Sequence, residues 1–194
     1  MATATNAVNE PGAIPDFAAL VREHQAMVFS IAQHYLHDRP AAEELAQEVF
    51  LQLHRSLPGL KSAEHVGFWL RKVAAHRSID YARKSRLRPQ VSLEDVPEQA
   101  TPARDSDPML SGRLRRMVVS LPEKPRMVMV LRFQEDLEPQ EIADTLNMPV
   151  RTVKSHLQRS LAMLREKAGR AFTPAADRHD PSGEIGEVEN EPLG

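Results

Sequence analysis

Four prolines between residues 89 and 108, Pro89, Pro97, Pro102 and Pro108, divide this 194-residue chain into two stretches that must fold on either side of them. Proline removes a backbone donor and disfavours helix for the residue before it. Among these prolines stand Gln90, Ser92, Glu94, Asp95, Glu98 and Asp105 with few large apolar groups, so 89–107 reads as a flexible acidic linker that need not fold. The end segments, 1–15 and 171–194, read as disordered, the second on Pro174, Pro181, Gly183, Gly186 and Pro192. That leaves 16–88 and 108–170 as two candidate small domains.

Charge follows the same divisions. The whole chain carries −2, yet Phe17 to Arg86 has 10 basic and 7 acidic residues and Met109 to Arg170 has 12 and 7, whereas the linker and the tail are acidic. Two basic blocks flanked by acidic segments suit contact with nucleic acid, although solvated helix faces give the same pattern. Hydrophobic residues at 41% and charged residues at 27% are an ordinary globular balance. No apolar run approaches the roughly 20 residues of a membrane span, and Met1 to Pro15 lacks the basic start and apolar centre of a secretory signal, so a cytoplasmic location is expected. Without cysteine, neither a disulfide nor a thiolate metal site can form on this chain.

Apolar spacing by threes and fours predicts an all-α fold. In the first block, Asp16 caps a helix carrying Phe17, Leu20, Val21, Met27, Val28, Ile31 and Tyr35. Asp38-Arg39-Pro40 ends it and starts a second helix, which from Ala42 carries Leu45, Ala46, Val49, Phe50, Leu53 and Leu57 and stops at Pro58-Gly59. A third, from about His65 to Arg86, turns Val66, Trp69, Leu70, Val73 and Ala74 inward. In the second block a helix with Leu110, Leu114, Met117 and Val118 follows Asp107-Pro108, and another spans about Glu123 to Phe133. Pro139 then opens a short helix with Ile142, Ala143 and Leu146, Asn147 and Met148 make a turn, and Pro149 starts a last helix with Val153, Leu157, Leu161 and Leu164 inward. This is the order of a helix-turn-helix, with small Ala143 at the close approach and Asn147 where positive φ is expected.

The last helix exposes Arg151, Thr152, Lys154, Ser155, Gln158 and Arg159 over its first turns, donors able to meet guanine, adenine and phosphate in a major groove. The third helix pairs a basic face with Phe68, Trp69 and Tyr81, a combination fitted to single-stranded nucleic acid; for Trp69, on the stripe with Val66 and Val73, the core is the stronger reading. Glu43, Glu44, Gln47 and Glu48 crowd one side of the second helix, to meet a basic protein surface or simply water. His34 and His37 share a face, but nothing completes a metal set with them. No phosphate loop, nucleophile elbow or zincin motif occurs, so neither catalysis, cofactor nor metal is expected.

Three blocks in order resemble the extracytoplasmic-function group of bacterial RNA polymerase sigma factors, in the sigma-70 family. They are Ala42-Glu43-Glu44-Leu45-Ala46-Gln47-Glu48-Val49-Phe50; Phe68-Trp69-Leu70-Arg71-Lys72-Val73-Ala74 with Ser78-Ile79-Asp80; and Leu121-Pro122-Glu123-Lys124-Pro125-Arg126 leading into Glu141-Ile142-Ala143 and Thr152-Val153-Lys154-Ser155. The resemblance implies a region 2-like domain at 16–88 and a region 4-like domain at 108–170. It implies core polymerase contact through Glu43, Glu44, Gln47 and Glu48, and minus-ten contact through the loop Leu60 to Val66 and through Lys61, Ser62, Arg71, Lys72, His76, Arg77 and Arg83. Minus-thirty-five contact falls to Arg151, Thr152, Lys154, Ser155, Gln158 and Arg159. Core polymerase, promoter DNA and an anti-sigma factor are the implied partners. His76 stands where the family often has Asn, and His156 where it usually has Arg. Thr-Val-Lys-Ser-His-Leu also resembles LuxR-type regulators, which makes a stand-alone DNA-binding regulator the alternative; that protein would need an α/β receiver in the first half. The acidic tail could compete with phosphate for a basic face, or serve as a solubilising end.

Overall fold

The computed structural model describes residues 16–60, 62–87 and 108–172. The linker, residues 1–15 and 173–194, Lys61 and Arg88 lie outside the described residues, and the last helix runs two residues into the tail expected from 171. Among those described there are seven α-helices, one turn of 3-10 helix and no strand: α1 (Phe17–Leu36), α2 (Arg39–Ser56), the turn Leu57–Gly59, α3 (Ala63–Leu87), α4 (Pro108–Val119), α5 (Glu123–Phe133), α6 (Pro139–Leu146) and α7 (Val150–Phe172).

Short polar side chains set the helix starts. Asp16 accepts from the Ala19 N–H at 2.7 Å and Asp38 from the Ala41 N–H at 3.0 Å, each satisfying a donor that has no partner inside its own helix. Asp38 caps α2 and Pro40 is tolerated in its first turn, so α2 begins at Arg39, within the expected Asp38-Arg39-Pro40 start. Ser62 Oγ accepts from the His65 N–H at 3.2 Å, so α3 also starts early and the expected loop Leu60 to Val66 shortens to 60–62. His37 leaves α1 at φ 56° and caps it through its N–H to the Gln33 carbonyl. It therefore shares no helix face with His34, contrary to the sequence reading.

α1, α2 and α3 pack around Leu20, Val28, Ile31, Tyr35, Val49, Leu53, Val66 and Leu70, all fully buried. In the second half, α5, α6 and α7 bury Met127, Leu131, Ile142 and Val153. The two halves share one hydrophobic cluster, with α1 against α5 and α3 against both α5 and α6. Polar contacts reinforce the seam. Ser30 Oγ donates to Glu135 at 2.7 Å, and the Arg126 guanidinium, 4% exposed, lies 4.2 Å over the Tyr35 ring. Arg83 and Arg86 reach Glu123 at 3.2 and 3.6 Å.

Trp69 and Val73 pack against the core as expected, but only half-buried, and they also line a groove between α2 and α3, because small Ala74 and Ala75 take the buried side of α3 there. One expected core position is corrected. Leu114 is 48% exposed, since α4 is covered mainly by α7 alone.

Candidate nucleic-acid interface

The α2/α3 groove has a volume of about 930 Å³. From α2 come Glu44, Glu48 and Gln52; from α3 come His65, Phe68, Trp69, Lys72, His76, Arg77, Asp80, Tyr81 and Lys84, at the spacing that keeps one helical face turned to the groove. Lys72 Nζ lies 5.9 Å from the Phe68 ring centroid, a cation held over an aromatic face. Tyr81 is 38% exposed and His76 is exposed. Flat π-faces beside ammonium and guanidinium groups can stack bases and neutralise phosphates together. Arg77 Nε donates to Gln52 Oε1 at 2.9 Å and its Nη1 to Glu48 at 2.6 Å.

Of the other expected minus-ten residues, Arg71 and Arg83 do not line the groove. Arg83 is bound to Asp80 at 3.6 Å and to Glu123 of the second half. Ser62 caps α3. Sequence reasoning missed Gln52 and Lys84; Gln52 stands one helical turn after Glu48, a spacing that could have marked it.

The four polar residues of α2 separate into two pairs, because 43/47 and 44/48 are i, i+4 rows on adjacent flanks of one helix. Glu44 and Glu48 face the α2/α3 groove. Glu43 and Gln47 rim a second, apolar groove of about 830 Å³ between α1 and α2, floored by Phe17, Val21, Phe29 and Phe50, with Leu51 59% exposed at its edge. Arg39 bonds Glu43 at 2.9 Å.

In the second half, Asn147 takes φ 50°, ψ 55°, and its N–H and that of Met148 both return to the Ala143 carbonyl, which closes the turn between α6 and α7. The Glu138 N–H donates to Glu141 at 2.8 Å and fixes the start of α6. Val153 is fully buried, which turns Arg151, Lys154, Gln158 and Arg159 outward, with Thr152 and Ser155 half-buried beside them. Thus all six expected recognition residues fall on the first turns of α7. His156 and Arg159 line a cavity of about 660 Å³ with Arg86, Glu123, Lys124 and Ser160. Burial first, then Arg159 and Lys124, lowers the His156 pKa.

A helix-turn-helix joined to a three-helix unit with an aromatic groove of mixed charge narrows the choice of family, and comparison decides it. Residues 20–88 match the family model for sigma-70 region 2, and residues 111–164 that for sigma-70 region 4. An RNA polymerase sigma-E factor of Streptomyces coelicolor is 30% identical over 158 residues, covering 80% of this chain and 88% of that protein. This chain belongs to the extracytoplasmic-function group of the sigma-70 family.

Sigma factor SigW of Bacillus subtilis is 26% identical over 168 residues, with 78% of this chain and 88% of that protein covered. SigE of Mycolicibacterium smegmatis is 29% identical over 170 residues, and the chain spans 65% of its length. Among solved structures, the sigma factor RpoE of Bartonella quintana with the anti-sigma factor NepR has a TM-score of 0.65 at 17% identity, covering 80% of this chain and 98% of that one. CnrH with the cytosolic domain of CnrY has a TM-score of 0.60 at 19% identity, covering 81% and 89%. Both show the same fold. No strand among the described residues supplies the α/β receiver that the LuxR-type alternative needs, and no helix among them is long and apolar enough to cross a membrane.

Proposed function

We propose that this sigma factor directs core RNA polymerase to promoters whose minus-ten strand enters the α2/α3 groove and whose minus-thirty-five duplex meets α7. The observation that carries the reading is the presence in one chain of two different nucleic-acid surfaces. One is an aromatic groove of mixed charge, with Lys72, Arg77 and Lys84 beside Phe68, Trp69 and Tyr81, suited to unstacked bases; the other is a helix tip with four outward polar or basic side chains suited to a major groove. Unstacking a base costs a few kcal/mol, which stacking on Trp69, Phe68 or Tyr81 and hydrogen bonds in the groove offset. Lys72, His76 and Arg77 are the minus-ten contacts within the groove, and Lys61, Ser62, Arg71 and Arg83 complete the set. Arg151, Thr152, Lys154, Ser155, Gln158 and Arg159 are the minus-thirty-five contacts.

Core polymerase is the partner for Glu43, Glu44, Gln47 and Glu48, and the apolar α1/α2 groove beside Glu43 and Gln47 adds a surface for a helix of that partner. An anti-sigma factor is the expected antagonist, by likeness to the two solved complexes. Transcription in vitro with sigma-free core, genomic fragments and the purified chain tests the reading. Discrete transcripts that require the chain support it; their absence, with specific duplex binding by the chain alone, overturns it.

A further inference from the structure

We propose that Gln52 and Glu48 of α2 are positioning residues that hold the Arg77 guanidinium in the attitude in which it meets the nucleic-acid strand. This rests on the reading of the α2/α3 groove as the strand site. Arg77 stands on α3, half-exposed, where a free side chain of its length samples many rotamers. Its Nε–H is taken by Gln52 Oε1 at 2.9 Å and one Nη1–H by Glu48 Oε2 at 2.6 Å. The two acceptors stand four residues apart on α2, so they present one edge, and the guanidinium lies against it with its orientation fixed by two bonds. A guanidinium has five N–H donors, so three remain for a phosphate or a base edge. Such preorganisation lowers the freedom lost when the strand binds. The arrangement also accounts for one of the three carboxylates in a groove meant for a polyanion: the Glu48 charge is matched at 2.6 Å by a cation that faces the same groove.

The proposal predicts coupling between positions 52 and 77 that simple loss of packing would not give. The full chain and its variants Gln52→Met, Arg77→Ala and the double substitution are titrated against fluorescein-labelled single-stranded DNA of mixed sequence, with anisotropy read at several salt concentrations. Gln52→Met keeps the unbranched stem and removes only the acceptor; Gln52→Leu is the second variant should thermal melting show that the first is unfolded. The expected result is a loss of affinity of about two- to fivefold for Gln52→Met, the range that a half-exposed charged contact supports. Its salt dependence should stay unchanged, because Arg77 still reaches phosphate. Arg77→Ala should reduce the slope of log affinity against log salt by about one. In the Arg77→Ala background Gln52→Met should have no further effect. A loss that adds in full in that background, or no loss where Arg77→Ala alone weakens binding, overturns the positioning role and leaves the groove reading standing. If Arg77→Ala changes neither affinity nor slope, the groove reading fails and the positioning role falls with it.

Discussion

Arg126 is the cation most deeply placed in the seam between the two halves, and removing it tests whether that seam contributes to stability. The side chain is 4% exposed, its guanidinium lies 4.2 Å over the fully buried Tyr35 ring, and its Nε has no hydrogen-bond partner. Arg126→Ala deletes a desolvated cation–π contact of about 2 kcal/mol. It also deletes two buried methylenes, about 1.6 kcal/mol together. The guanidinium's own desolvation is relieved, which offsets part of this, so a net loss of about 2 kcal/mol is expected. Arg126→Met keeps the stem packing and removes both the charge and the unpartnered Nε; its loss should stay below about 1 kcal/mol. Urea unfolding followed by fluorescence and by far-ultraviolet circular dichroism gives both quantities, because Trp69 is the chain's one tryptophan and reports the first half alone. The wild-type transitions should coincide. Arg126→Ala should move the midpoint down in both signals, or separate them. A loss under about 0.5 kcal/mol for Arg126→Ala, or equal losses for alanine and methionine, would refute the reasoning.

Burial, with Arg115, Arg126 and His34 adding to it, lowers the His37 pKa from 6.5 to about 4. The unfolded chain therefore takes up the proton first, so stability is full above pH 6.5 and falls as the pH drops towards 4. Allowing for the ring's partial exposure, the loss is about 1–2 kcal/mol, and His37→Asn, which suits φ 56°, should flatten that slope in urea titrations across the interval. In the helix-turn-helix, Asn147→Ala should cost about 1 kcal/mol and Asn147→Gly much less, because φ is 50° there; thermal melting separates them. A Cβ added at Gly67 would meet only His24, at an ordinary 3.6 Å, so Gly67→Ala should stabilise α3 by about 0.5–1 kcal/mol in the same assay. Glu44, Glu48 and Asp80 stand in the α2/α3 groove against Lys72, Arg77 and Lys84, and Glu44→Gln should raise the isolated chain's affinity for single-stranded DNA about two- to fivefold at low salt. Unchanged anisotropy titrations would remove Glu44 from the groove's electrostatics.

Helix order was legible because each helix repeats its apolar residues by threes and fours and begins at a readable signal: Asp16, Asp38, Pro139, Pro149. The recognition face was legible for the same reason, since burial of Val153 fixes where Arg151, Lys154 and Gln158 must point. Periodicity placed Trp69 against the core but did not show that it also opens on a groove. A helix wedged between two neighbours has a buried line flanked by two half-buried ones, and spacing alone cannot tell the line that meets Ala74 and Ala75 from the one that opens on a groove. Nor did it separate Glu43 and Gln47 from Glu44 and Glu48, which are neighbours in sequence but face different grooves once α1 and α3 flank α2. Arg126 was invisible as a buried residue, because its burial depends on Tyr35, 91 residues earlier in the chain.

The seam bears on both proposed DNA surfaces, and unequally. Arg83, a candidate minus-ten contact, is held by Glu123, and the same carboxylate takes Arg86. In this arrangement two cations at the C-terminal end of α3, Arg83 and Arg86, are committed to the second half, while Lys84 faces the α2/α3 groove. Arg151, Lys154 and Gln158 remain exposed, so the closed arrangement leaves the duplex-reading tip of α7 open to solvent. Arg77, Lys72 and His76 lie on the α2-facing side of α3 and keep their groove. If region 4 separates from region 2 on a promoter, the groove needs no rebuilding; what changes is the release of Arg83 and Arg86 from Glu123 and the exposure of the apolar surface the halves share. The half-exposed ion pairs resist that separation little, each being worth about 1 kcal/mol or less. Tyr35, Arg126 and the apolar cluster around them supply the larger part of the resistance, and any partner that opens the molecule must offset their exposure with surface of its own.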